Sequence, residues 1–222
     1  MSGTLLLRLS GPMQSWGTQS RFDRRDTGRE PSKSGVIGLL CAALGRPRTE
    51  PVDDLASLRM GVRVDQPGRV EHDYHTASSD SFYLVSGKSE SRTVVSNRYY
   101  LADAKFLVGL EGDSGLLAEL YAALRDPVWT LYLGRKAFVP GEPVWLPDGL
   151  WDRYGLFDAL GAYPWLGDPD RSKAPAQLPV FYDDPAGYIV RTDVPLSFAE
   201  RKFAQRRVSI EYIAMPLPDK EG

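Results

Sequence analysis

The sequence predicts an α+β fold. Three observations carry this: short apolar runs bounded by turn residues, two segments with helical spacing and capping signals, and the order in which they occur. That order is strand, helix, strand, hairpin, strand, helix, strand, which is the βαββαβ arrangement of a ferredoxin-like domain with an inserted hairpin. From Pro140 onward the composition shifts to Pro, Gly, Asp and Trp, and three further strand candidates follow. The expected organisation is a first domain over 1–139 and a loop-rich connector with a small β-rich C-terminal domain over 140–222.

Thr4–Leu9 is apolar and ends on Ser10-Gly11-Pro12, so it reads as a buried first strand. Gly11 to Pro31 is polar, glycine-punctuated and arginine-rich, and reads as a long loop. Serine then offers an N-cap and Gly45-Arg46-Pro47 a stop around the apolar segment Gly35–Gly45, which reads as a buried helix. Gly35 and Gly38 each cost that helix up to about 1 kcal/mol against alanine. Retaining both implies that something approaches its backbone closely. Asp53–Leu58 reads as a helical turn, Arg59–Asp65 as an alternating strand, and Lys105–Leu110 as another strand. Between them, 66–103 has no clean core pattern. Within it, Phe82–Val85 and Arg92–Val95 flank a polar turn and read as the arms of a projecting hairpin. Ser114–Arg125 has helical spacing, a Ser N-cap and an Asp126-Pro127 stop, and Trp129–Leu133 reads as the next strand. Val180–Tyr182, Tyr188–Arg191 and Val208–Met215 are the C-terminal strand candidates.

The chain has 222 residues, 27 Lys+Arg against 29 Asp+Glu, and a formal net charge of −2. A chain of this size buries roughly 70% of its unfolded surface, so a packed core is expected and wholesale disorder is excluded. No stretch of about 18 apolar residues is present, and the three-leucine run before Arg8 is too short for a signal segment, so a cytoplasmic protein without a membrane span is expected. One cysteine, Cys41, excludes an internal disulfide framework, and with only two histidines no metal or cofactor is expected. The near-zero sum argues against nucleic acid, but the distribution does not. Residues 21–48 hold seven Lys/Arg and three Asp/Glu, whereas 142–170 hold one Lys/Arg and six Asp/Glu.

The chemistry-bearing residues gather in a few places. The first turn of a helix carries unpaired N–H groups and the positive end of the dipole, so Pro31-Ser32-Lys33-Ser34-Gly35 reads either as a phosphate cradle or as an ordinary N-cap beside a solvated lysine. The spacing is not that of a nucleotide-binding glycine-rich loop. Trp16, beside Gln14 in the basic loop, either stacks on a base or anchors the loop on the core. Asp73-Tyr74-His75 offers a histidine near a carboxylate, without a nucleophile at a recognisable spacing. Arg98-Tyr99-Tyr100, Gly134-Arg135-Lys136 and Arg201, Lys202, Arg206 and Arg207 offer further cations. The aromatic, acidic 142–170 segment, with Trp145, Trp151, Tyr154, Phe157, Tyr163 and Trp165, reads either as a protein interface or as a local core.

In order along residues 4–136, Gly11-Pro12-Met13-Gln14-Ser15-Trp16-Gly17, Thr27-Gly28, Pro31–Gly35 with Gly38-Leu39-Leu40, Asp73-Tyr74-His75-Thr76, Arg98-x-Tyr100-Leu101-x-Asp103-Ala104-x-Phe106 and Leu131–Lys136 resemble the Cas-five family, in its subtype I-E form, of the CRISPR Cascade surveillance complex. The C-terminal Phe203-Ala204-x-Arg206 is compatible.

The resemblance implies a ferredoxin-like domain of the RNA-recognition type, a thumb hairpin at about 78–101 and a small C-terminal β domain. It implies a non-catalytic, cytoplasmic subunit. Such a subunit binds and caps the 5′ handle of the CRISPR RNA and anchors the adjacent backbone subunit and the large subunit. On that reading Arg21, Arg24, Arg25, Lys33, Ser34, Arg98, Arg135 and Lys136 are expected at the RNA backbone. Met13, Gln14, Trp16 and Tyr100 are expected at bases or in support of the thumb. The alternative is a metal-independent endoribonuclease that processes repeat RNA through His75, Lys136 and a tyrosine, as a related protein of subtype I-C does. Incubation with repeat RNA, with and without chelator, separates the two.

Overall fold

The computed structural model describes residues 2–18, 24–77, 82–83, 86–90, 93–167 and 174–216. β1 (Ser2–Ser10) places Leu5, Leu6, Leu7 and Leu9 at zero exposure. The run is apolar without alternation because the strand is covered on both faces. Leu5, Leu7 and Leu9 enter one core, under α1 (Lys33–Leu44) and α3 (Ser114–Arg125), while Leu6 enters a second under α4 (Leu156–Ala162).

Beside β1 lie β9 (Lys105–Asp113) and β10 (Trp145–Asp152), and beyond β9 follow β4 (Arg59–Gln66), β11 (Gln177–Asp183), β13 (Lys202–Ala214) and β12 (Ile189–Ser197). They form one seven-stranded sheet in the order β10-β1-β9-β4-β11-β13-β12, antiparallel throughout. The sheet therefore runs across the expected 139/140 boundary. α2 is the expected short turn, Asp53–Ala56. Gly61 and Gly109 face each other across β4 and β9, and a Cβ at either would stand 2.8 or 2.7 Å from Leu160 or Leu156. The two glycines let the leucines of α4 pack close on the sheet.

Three expectations need correction. Trp129–Leu133 is not a strand. The N–H groups of Val128 and Trp129 donate to the Ala43 and Ala42 carbonyls at the end of α1, each at 3.0 Å, so the segment docks on a helix instead of a sheet edge. The edge position is taken by β10, inside the segment read as a loop-rich connector, which also contains α4. Most of that segment's aromatic residues are partly buried against the cores: Trp145 packs on the first cluster, Trp151, Phe157 and Tyr163 pack on the second, and the Trp165 indole donates to the Asp65 carbonyl at 3.0 Å. The N-cap of α3 is Asp113, one residue earlier than expected, with its side chain accepting from Gly115 and Leu116.

The hairpin is longer than its apolar arms suggested. β5 (Arg69–Ala77) pairs with β8 (Val94–Ala102) without a break from Arg69↔Ala102 to Ala77↔Val94. Further out, β6 (Phe82–Tyr83) pairs with β7 (Ser89–Glu90). β5 is exposed along nearly its whole length, which is why no core pattern marked it. Residues 78–81, 84–85 and 91–92 of the expected thumb lie outside the described residues.

Two buried ionic clusters fix the layers. Arg63 and Asp65 are fully buried and joined fork to fork at 2.6 and 2.7 Å, and the remaining Arg63 donors reach the carbonyls of Leu160, Tyr163 and Pro164. This ties the end of α4 to β4. At the start of α1, Ser32 is the N-cap, accepting from the Gly35 N–H at 3.3 Å. There the Lys33 backbone N–H donates to Asp193 at 2.8 Å and its ammonium to Asp183 at 2.9 Å. Asp183 also accepts from the Met60 N–H at 3.0 Å. Arg206 bridges both carboxylates, holding Asp193 at 2.7 and 2.9 Å. Burial works against the Asp183 charge, but the charges of Lys33 and Arg206 outweigh it and hold the carboxyl below the ordinary aspartate range.

Asp193→Ala leaves Arg206 and the first turn of α1 without their shared acceptor. Chemical denaturation should show a loss of about 3–5 kcal/mol, the range for breaking a buried ion pair. A loss under about 1 kcal/mol would contradict the role assigned to this network.

Candidate nucleic-acid interface

A second, smaller sheet stands on the main one. β8 is its centre, paired with β5 along its length, antiparallel to β2 (Met13–Gln14) and parallel to β3 (Arg24–Arg25). The basic loop after β1 thus returns to the root of the β5–β8 ribbon and delivers two arginines there, with Arg24 opposite Asn97 and Arg25 opposite Arg98.

Because side chains alternate along a strand, the ribbon root carries cations on both faces. On one face the Arg24 guanidinium lies 5.3 Å from the Tyr99 ring, which also stacks at 4.9 Å on His72. The His72 Nε2 is 2.8 Å from the Asn97 amide oxygen. On the other face Arg25 and Arg98 approach Arg135. Arg135 enters from the loop after Leu133, donates to the Tyr99 carbonyl at 2.9 Å and lies 5.4 Å from the Phe138 ring. Burial, followed by the like charges of Arg98 and Arg25, pulls the Arg135 pKa below its ordinary value, with Asp73 and Asp26 partly offsetting them. Among the described residues none of Arg24, Arg25, Arg98 and Arg135 forms an ion pair. Arginine stays charged at any ordinary pH, so an anion placed here relieves a real repulsion.

The structure separates the expected site residues into two groups. Arg24, Arg25, Arg98 and Arg135 converge at the ribbon root. Lys136 is exposed one residue further on, and Met13 is 36% exposed on β2. Tyr100 is half-buried, 5.8 Å from Phe138, and supports the root from inside. Arg21 lies outside the described residues. Ser34 is half-buried on the side of α1 and lines a cleft together with Gly134, next to Arg135.

Three expectations are corrected. Lys33 is buried and paired with Asp183, and the helix N-terminus that read as a phosphate cradle already holds the Asp193 carboxylate. Gln14 is fully buried: its amide donates to the Leu9 and Ala104 carbonyls at 3.2 and 2.7 Å and accepts from the Trp16 indole at 3.1 Å. Trp16 is 1% exposed and packs on Gly35, where a Cβ would stand 2.8 Å from its ring. The close approach that Gly35 implied is therefore made by this tryptophan. Tyr99, not its neighbour Tyr100, presents its ring in the patch, and the period-two alternation of a strand separates the two.

The geometry defines an α+β protein, dominated by antiparallel sheets, with one polycationic surface at the root of a β ribbon. Residues 4–209 match the family model described as CRISPR-associated protein (Cas_Cas5), and the chain belongs to that family. It is 37% identical over 163 residues to the CRISPR system Cascade subunit CasD of Escherichia coli (strain K12), covering 66% of this chain and 71% of that one. Among solved structures, one described as a crystal structure of a Cas protein superposes with a TM-score of 0.78 at 46% identity, covering 96% of this chain and 97% of that one. A chain of a CRISPR RNA-guided surveillance complex gives 0.78 at 34% identity, covering 96% and 91%.

If Gln14 serves the fold and not a ligand, Gln14→Ala destabilises the protein by about 1–3 kcal/mol through unpaired buried groups. The RNA affinity of the folded fraction should be unchanged when denaturation and RNA titration are run on the same preparation.

Proposed function

We propose that this protein is a subunit of a CRISPR Cascade complex of subtype I-E, binding and capping the 5′ handle of the CRISPR RNA at the root of the β5–β8 ribbon. The observation that carries the proposal is the set of Arg24, Arg25, Arg98 and Arg135 around the ribbon root, without ion-pair partners among the described residues, with the like charges of Arg25 and Arg98 acting on Arg135 and Arg24 beside the Tyr99 ring. Single-stranded RNA offers phosphates for such cations and unstacked bases for such a ring. The kinship with CasD supports the assembly role, in which the adjacent backbone subunit and the large subunit are the protein partners. No described helix is long and apolar enough to cross a membrane, and the proposed location is the cytoplasm.

In this reading β1, α1, β4, β9, α3 and β10 form the ferredoxin-like domain of the RNA-recognition type. Their sheet order β10-β1-β9-β4 is the fourth-first-third-second order of a βαββαβ unit. The β5–β8 ribbon, inserted between the second and third strands of that unit, is the thumb. We place the end of the domain after β10 and α4, with β11–β13 as an extension of its sheet. The subunit acts by binding: the guanidiniums neutralise the handle's phosphates and the ribbon holds them in a fixed frame.

Reversing Arg24, Arg25 and Arg98 to glutamate should weaken binding of a single-stranded handle RNA. It should also flatten the plot of log affinity against log salt by about 2, at about 0.7 for each lost phosphate contact. An unchanged slope would overturn the assignment.

A further inference from the structure

Beside the ribbon root lies a groove. One cleft of about 700 Å³ is lined by Arg48, Trp129, Tyr132 and Lys136 above Ala42. It continues into a second of about 240 Å³ that shares Arg48, Trp129, Tyr132 and Ala42 and reaches Gly38 and Phe198. Among the described residues neither lining contains a carboxylate. Arg48 and Lys136 are exposed and, among the described residues, neither has an ion-pair or hydrogen-bond partner. Trp129 leaves 47% of its surface open although its backbone is anchored to the end of α1. Lys136 follows Arg135 in the chain, so the groove joins the arginine cluster.

We propose that this groove is a nucleotide subsite, in which an unpaired RNA base stacks on Trp129 and Tyr132 while Arg48 and Lys136 hold its phosphate. The inference rests on the RNA-binding reading and extends it to a second, base-directed contact. The chemistry fits: an exposed, backbone-anchored indole loses little entropy on stacking, every base offers a π face, and the flanking cations are free to meet a phosphate. The larger cleft falls in the roughly 300–1,000 Å³ range of small-ligand sites. Gly38 is consistent with this. Unlike Gly35, which Trp16 covers, a Cβ at Gly38 meets only the Phe198 ring, at 3.8 Å. Among the described residues nothing else crowds that position, and a base lying on the groove floor supplies a reason for glycine there.

The test uses the purified 222-residue chain and a short single-stranded handle RNA, with a set of oligonucleotides abasic at one position each. Trp129→Ala should weaken binding by about tenfold, the loss of one stacked base. One abasic position should weaken binding to the parent protein but not to the variant. Gly38→Met, which fills the floor from a helix position that accepts a longer side chain, should show the same loss with an unchanged thermal melt. If both variants bind every oligonucleotide as the parent does while the arginine reversals still weaken binding, the subsite is wrong and the RNA-binding reading stands. If the arginine reversals also have no effect, the RNA-binding reading fails with it. If the two variants lose association with a Cascade protein subunit and keep RNA affinity, the groove is a protein contact and the proposal is overturned.

Discussion

The carboxylates of Asp183 and Asp193 hold the start of α1, and much of the molecule depends on that contact. Asp183 ends β11 and accepts from a β4 backbone N–H and from Lys33, while Asp193, on β12, accepts from the first N–H of α1. Arg206, on β13, neutralises both. A helix N-terminus attracts anions, and here the protein supplies two of its own from strands about 150 residues further along the chain. The contact locks α1 to the far half of the seven-stranded sheet. It also removes the one feature of the sequence that most resembled a phosphate site.

With that site filled internally, the available positive charge lies elsewhere. The loop after β1 spends Gln14 and Trp16, joined by the indole-to-amide hydrogen bond, on the core. Its path ends with Arg24 and Arg25 against β8. The loop after α3 makes a similar commitment, docking Val128 and Trp129 on the end of α1 and delivering Arg135 to the Tyr99 carbonyl. Two long loops, each anchored by buried or backbone contacts, thus converge on the root of the ribbon. Arginines held in this way keep their charges close together at a cost that a bound polyanion removes.

The sequence made some of this legible and hid the rest for physical reasons. β1, β4, β9, α1 and α3 were visible because local pattern and end signals agree: leucine runs or alternation for the strands, Ser32 and Gly45 or Asp126-Pro127 for the helix ends. β10 was not, since Pro147 and Gly149 lower its strand propensity and its pairing with β1 shifts register between Leu5 and Leu7. Trp129–Leu133 looks more like a strand than β10 does, and only the tertiary contact with α1 decides otherwise. β5 carries no burial pattern because both its faces are exposed. Among the site residues, Arg24, Arg25, Arg98 and Arg135 were recoverable as cations, but nothing local told them apart from Lys33. Only the position of Asp183 and Asp193, remote in sequence, makes Lys33 structural. Trp129 and Arg48 were missed because Trp129 sits in a strand-like apolar run and Arg48 is one among the seven cations of 21–48.

The most direct test of the account is photo-cross-linking of a thiouridine-substituted handle RNA to the assembled Cascade complex, with the cross-linked peptides of this subunit identified by mass spectrometry. The account predicts cross-links within β3, β8 and the 135–136 loop, and none at the buried Ser32 and Lys33 in the first turn of α1. Cross-links concentrated in that first turn, with the ribbon root unlabelled, would contradict it.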